Sequence, residues 1–205
     1  MSPFRIWARA IGLWWRELIV WTIFNIAWFA LQIPIVTGPP ATAAMFVIAR
    51  RVAAGEYLDF GDGLRALREM FFPAWKWGAI TLILIVVIGV NLWFYQAAAG
   101  LLWDVLRLVW ITIGLLWFGM SLFYWPFWLA QADRRVSVTL RNSALFMARR
   151  PGVTLILVLS GLAVAVGSTL ITLPLVVALM AWLALLGTVA VNDELRRIEV
   201  KRMEA

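Results

Sequence analysis

Uncharged, mostly apolar residues run without a break from Leu18 to Ala49, a stretch of 32 positions. As one helix rising about 1.5 Å per residue it would be ~48 Å long, well beyond a hydrocarbon core of about 30 Å. The run therefore has to turn back on itself. Thr37-Gly38-Pro39-Pro40 is where it turns, because the residue before a proline is pushed out of helical geometry and proline itself fits only a helix's first turn. This predicts a first span over Leu18 to Val36 and a short second helix from Ala41 to Ala54. Gly55 would cap the second helix, and Arg50 and Arg51 would snorkel to the cytoplasmic interface.

Further uncharged runs cover Trp77 to Trp103, Leu108 to Ala132 and Gly152 to Asn192, the last divided at Thr172-Leu173-Pro174. They predict helices over 77–98, 104–130, 153–172 and 175–191. The joints at 99–103 and 173–174 are short and lack Lys and Arg, whereas those at 55–76 and 131–152 are long and basic. Each long joint carries an amphipathic stretch, from Leu64-Arg65 to Pro73 and from Leu140-Arg141 to Pro151. Each predicts a helix lying in the interface plane, with the proline opening the next span.

Charge then sets the arrangement. All but one of the 18 Lys and Arg lie in the N-terminal segment, residues 50–76, residues 131–152 and the tail; the exception is Arg107. With six crossings, built as three hairpins whose tips point outward, those basic segments and both termini face the cytoplasm, as the positive-inside tendency expects. If the short second helix is re-entrant, five crossings remain and Arg5, Arg9 and Arg16 fall outside. Six crossings are expected.

Composition agrees with this reading. Hydrophobic residues make up 64% of the chain and charged ones 14%, too few for a soluble surface. The fold class expected is all-α, a polytopic transmembrane helix bundle forming a single integral membrane domain over 1–205. The net charge of +7 reflects orientation and contact with the lipid bilayer, not a nucleic-acid partner. Cysteine and histidine are absent, which removes disulfides, thiolate chemistry and the usual haem or zinc ligands. Ala41-Thr42-Ala43 looks like a signal-peptidase site, but the apolar stretch before it is longer than a signal segment and reads as a retained span.

No ionisable residue falls at mid-span, where proton or ion pathways usually show themselves. Asp104 and Arg107 form a local pair at the outer end of a helix, and Glu56, Asp59, Asp62 and Glu69 among Arg65 and Arg68 read as a solvated face. No catalytic, cofactor-binding or metal-binding residue is expected, and the chain does not read as an enzyme. Asn25, Gln32, Asn91, Gln96, Ser168, Thr169 and Thr172 are polar within spans, which interhelical hydrogen bonding explains and a substrate path would also require. Trp7, Trp14, Trp21 and Trp28 recur every seven residues, as do Trp103, Trp110, Trp117 and Tyr124. An α-helix drifts only about 20° over seven residues, so each set predicts one stripe along a helix, serving packing or an aromatic groove for sugars or acyl chains. The turn at Pro34 to Pro40 is the most pointed feature. There a helix N-terminus beyond Thr37 aims its positive end into the outer half of the membrane, either as a plain hairpin capped by the Thr37 hydroxyl or as a ligand site.

At this turn the residues resemble a known family. Asn25-Ile26-Ala27-Trp28, Pro34-Ile35-Val36-Thr37 and Pro40-Ala41-Thr42-Ala43-Ala44 are similar to the signature of the YesL family of bacterial membrane proteins, with Pro39 as an extra residue after Gly38. Weaker similarity continues through Tyr124-Trp125-Pro126-Phe127 and Leu140-Arg141-Asn142-Ser143-Ala144. The resemblance implies a multi-pass protein of the bacterial inner membrane, accessory to carbohydrate uptake or utilisation, with components of a carbohydrate ABC transporter as partners. It carries no reaction. The residues singled out are Asn25, Trp28, Pro34, Thr37, Gly38 and Pro40 at the turn, and Arg141 and Asn142 as a cytoplasmic contact. A small solute carrier or channel acting alone is the alternative.

Overall fold

The structure, a computed structural model, describes residues 2–171 and 173–204. Thr172, at the expected division of the last apolar run, lies outside the described residues. The described chain is all-helical: α1 (Pro3–Arg16), α2 (Leu18–Gln32), α3 (Gly38–Ala54), α4 (Phe60–Tyr95), α5 (Leu101–Ala130), α6 (Val136–Arg149), α7 (Pro151–Ile171), α8 (Leu173–Val177) and α9 (Leu179–Met203). Three of them, α4, α5 and α7, are long and apolar enough to cross a membrane.

The centre of the molecule is α3. Ten of its 17 residues are buried, among them Pro40, Ala43, Phe46, Ile48 and Val52. A helix that is apolar on all sides is covered on all sides, and α2, α4, α5 and α9 cover this one. It lies antiparallel to the first half of α4. At one end Arg51 Nη1 sits 2.8 Å from Asp62 Oδ1. At the other, Trp75 Nε1 donates to Val36 O at 3.0 Å, and Pro39 fills the space a side chain at Gly78 would need. The hairpin tip and residues 75–78 therefore share one level, where the charge pattern predicts them on opposite sides of the membrane.

The expectation that Pro73 opens a span is corrected, because α4 runs straight through it. Pro73 removes one backbone bond, to Glu69 O, and Glu69 lies on the exposed face, where solvent supplies a substitute. The interface helix and the span are thus one helix of 36 residues. Pro151 does open α7, and α6 is the separate amphipathic helix expected before it. The first Trp stripe is also corrected. The chain breaks at Glu17 (φ −114°, ψ 33°), so Trp7 and Trp14 belong to α1 and Trp21 and Trp28 to α2. The second stripe lies wholly on α5.

The last span differs too. In place of one helix over 175–191, α8 ends at Val177, the backbone breaks at Ala178 (φ −141°, ψ −32°), and α9 continues to Met203. Along α5, Pro126 frees the carbonyl of Leu122, and Gly187 of α9 packs directly onto that oxygen. Small residues bring two apolar helices together this way.

Candidate functional site

Asn25, in the middle of α2, is fully buried, and its side chain closes the α8–α9 break. Its Nδ2 donates to Leu175 O at 3.0 Å and Val176 O at 2.8 Å, and its Oδ1 accepts from Ala181 N at 2.9 Å. A helix end leaves carbonyls unpaired and a helix start leaves N–H groups unpaired. One amide from a distant helix serves both, so it works as a C-cap for α8 and an N-cap for α9.

The turn is stitched in the same manner. Trp28 Nε1 donates to Thr42 Oγ1 at 3.0 Å, tying α2 to α3. Gln32 Nε2 donates to Trp28 O at 3.2 Å and Gly38 O at 3.5 Å, and a Cβ at Gly38 would stand 2.9 Å from Gln32 Oε1. Thr37 occupies the N-cap position of α3, yet its hydroxyl makes no cap bond. It donates backwards to Leu31 O at 2.6 Å, so the expectation that it caps α3 is corrected: Thr37 secures the end of α2. Pro34 is exposed and Pro40 buried. Between them Ile35 adopts φ 57°, a left-handed conformation that costs a β-branched residue roughly 1–2 kcal/mol.

Behind the turn lies a cavity of about 450 Å³ between α3, α4, α5 and α9. Its walls are mostly apolar, with Phe46, Trp77 and Trp125 prominent, and Gln32, Thr42, Thr81 and Ser121 supply the polar groups. The Thr81 hydroxyl is buried without a hydrogen-bond partner among the described residues. Beside the cavity Trp77 is stacked between Trp117 (centroids 4.5 Å apart, planes 18°) and Tyr124 (4.0 Å, 9°). Two members of the α5 stripe therefore do pack between helices, and they clasp a tryptophan of α4.

Two of the other polar residues bond within their own helices. Asn91 donates to Val87 O and accepts from Tyr95 within its own helix, and Thr169 donates to Val166 O. Ser168 is buried, and its hydroxyl has no partner among the described residues. Asp104 and Arg107 pair at 3.3 Å as expected. Asp59 and Asp62 form a reciprocal capping box at the start of α4, and Asp62 is buried beneath Arg51 and Arg65. The Arg51 hydrogen bond, helped by the Asp59 N–H, holds its carboxyl below the usual range. At the junction of α5 and α6 Asn142 Nδ2 donates to Gln131 Oε1 at 2.8 Å and Gln131 Nε2 to Thr139 Oγ1 at 2.5 Å, while Arg141 is exposed. Thus Trp28 and Gly38 are joined through Gln32 at the turn, Thr37 is tied to Leu31, Asn25 serves the α8–α9 break, and Asn142 belongs to a separate set with Gln131.

Among the described residues no group of three or more His, Cys, Asp or Glu could hold a metal ion. Compared with known proteins, no family model, no curated protein and no solved structure matches the chain.

Proposed function

We propose that this chain is a non-enzymatic integral membrane protein that serves as an accessory to another membrane system and does not carry a solute itself. The Asn25 clamp is the observation that supports this most. Transporters built on broken helices leave helix ends open to coordinate substrate. Here the ends at the α8–α9 break are taken up by the Asn25 amide, and groups at the hairpin tip by Thr37, Gln32 and Trp75. The likeness of the Asn25–Ala44 stretch to the YesL family directs the accessory role to carbohydrate uptake or utilisation at a bacterial inner membrane, with ABC transporter components as partners. Affinity purification in mild detergent with mass spectrometry tests it: co-purifying transporter subunits are expected. Sugar uptake by the protein alone in vesicles overturns it.

The carrier reading draws support from one observation, the cavity behind the turn with its unpartnered Thr81 hydroxyl. The same vesicle assay separates the two.

For the membrane arrangement we infer four crossings: the second half of α4, then α5, α7 and the α8–α9 pair. The α2–α3 hairpin enters and leaves on the cytoplasmic side. The Val36–Trp75 bond supports this, since groups 3.0 Å apart cannot lie on opposite faces of a core about 30 Å thick. Both termini remain cytoplasmic and Arg107 alone lies outside, so the charge rule is met as well as by six crossings. Because the chain has no cysteine, single cysteines at 38 and 101 can be labelled with an impermeant reagent. Labelling from outside is expected at 101 only. Outside labelling at 38 restores the six-crossing arrangement.

A further inference from the structure

Between Arg134 and Asn192 the chain carries five arginines and no acidic residue. Three of the five are engaged. Arg135 pairs with Asp133, Arg150 reaches Asp193 and Glu194, and Arg134 lies over the Trp128 ring at 4.8 Å. The other two, Arg141 and Arg149, are exposed on α6 and make no ion pair among the described residues. Leu145, 38% exposed, stands midway between them. Positions four and eight apart share one helix face, so Arg141, Leu145 and Arg149 form a basic–apolar–basic stripe about 12 Å long. It ends two residues before Pro151, where α7 begins.

A cleft of about 280 Å³ opens beside this stripe, between the end of α5, α6 and α9. Phe127, Phe146, Leu195 and Ile198 line it with apolar surface, and Arg149 and Asn142 stand on its rim. Glu194, also on the rim, is held by Arg150 at 3.4 Å, and Glu199 and Arg202 there offset each other in charge.

We infer that this face binds an anionic phospholipid, with Arg141 and Arg149 meeting its headgroup phosphate and the cleft receiving the upper part of an acyl chain. Charge complementarity selects the headgroup, because the stripe offers two free guanidiniums, the side chain best shaped for phosphate oxygens. The exposed Leu145 and the apolar cleft select a lipid over a soluble acidic protein, and the junction with α7 puts the stripe at headgroup height.

The test uses the detergent-solubilised full chain, titrated separately with phosphatidylglycerol, phosphatidylcholine and inorganic phosphate. Binding is read by native mass spectrometry and by the shift in melting temperature. Phosphatidylglycerol is expected to be retained and to raise the melting temperature, and phosphatidylcholine and phosphate to do little. The Arg141→Gln/Arg149→Gln pair should bind it about thirtyfold more weakly, roughly fivefold for each charge removed. The pair should melt as the parent does in phosphatidylcholine, since neither arginine has a protein partner to lose. Arg149→Lys should keep most of the binding. Equal retention of the two lipids, an equal response to free phosphate, or unchanged binding in the double variant would overturn the inference.

Discussion

Replacing Asn25 by alanine is the sharpest probe of the architecture, because one side chain holds three backbone groups at the α8–α9 break. A buried backbone group left unpaired costs about 1–3 kcal/mol, which for three sets an upper bound of roughly 9 kcal/mol. Two effects lower the figure. Interhelical hydrogen bonds in membranes are worth only about 0.6–2 kcal/mol, because freed groups find other partners. Val177-Ala178-Leu179 also contains neither glycine nor proline, so α8 and α9 can close into one helix once the clamp is gone. The expected loss is about 2 kcal/mol, or roughly 4–8 °C in melting temperature for a chain of this size. Asn25→Asp should be worse than Asn25→Ala, since a carboxylate cannot donate to Leu175 O and Val176 O and brings a buried charge against them. Thermal unfolding in mild detergent, followed by circular dichroism, reads both variants. An Asn25→Ala protein melting within about a degree of the parent, or an Asn25→Asp protein more stable than Asn25→Ala, would refute the clamp.

A methyl group at Gly187 would run into the Leu122 carbonyl, so Gly187→Ala should cost about 3 kcal/mol or more by forcing α5 and α9 apart. Gly167→Ala, with nothing within 4 Å, should be neutral or slightly stabilising in the same melting assay. Thr37→Val keeps the shape but loses the bond to Leu31 O and should cost about 1 kcal/mol, whereas Thr37→Ser should melt as the parent does. Asp62 lies in the charged first half of α4, outside the apolar segment, with a lowered pKa. Its stabilising contribution is therefore complete above the ordinary carboxylate range and is lost as pH falls through the lowered value. Melting temperature followed from neutral pH downward should drop less in Asp62→Asn than in the parent.

Helix existence was readable from the chain, and so were most boundaries, because runs of uncharged residues and proline punctuation report them directly. Gly55 at the end of α3, Pro151 at the start of α7 and the Asp104–Arg107 pair all fall where local chemistry puts them. What failed were relations between distant segments. Nothing near Asn25 announces that its partners lie at 175–181, about 150 residues on, and the break at Ala178 has no sequence mark of its own. Pro73 misled because a proline on an exposed helix face costs one solvated bond and need not end the helix. Thr37 misled because a hydroxyl at an N-cap position can serve either the helix it opens or the one just closed, and here the carbonyl of Leu31 is the nearer claim.

The placement of α3 shows why apolarity alone does not give topology. Its 17 residues are as uncharged over most of their length as a span, and on sequence they count as one. Yet a helix can be apolar because lipid surrounds it or because protein does, and hydropathy does not tell these apart. The continuous α4 separates them. Its 36 residues make a rod of about 54 Å against a core of about 30 Å, so in the four-crossing arrangement we infer, nearly half of it projects. The half that projects has to be the one bearing the exposed Arg65, Arg68, Glu69 and Lys76, since those side chains cannot face hydrocarbon. That half is strapped to α3 from Asp62–Arg51 to Gly78–Pro39. On that reading the helix counted from sequence as the second crossing is held beside a charged rod, and its apolar surface packs on α2, α4, α5 and α9.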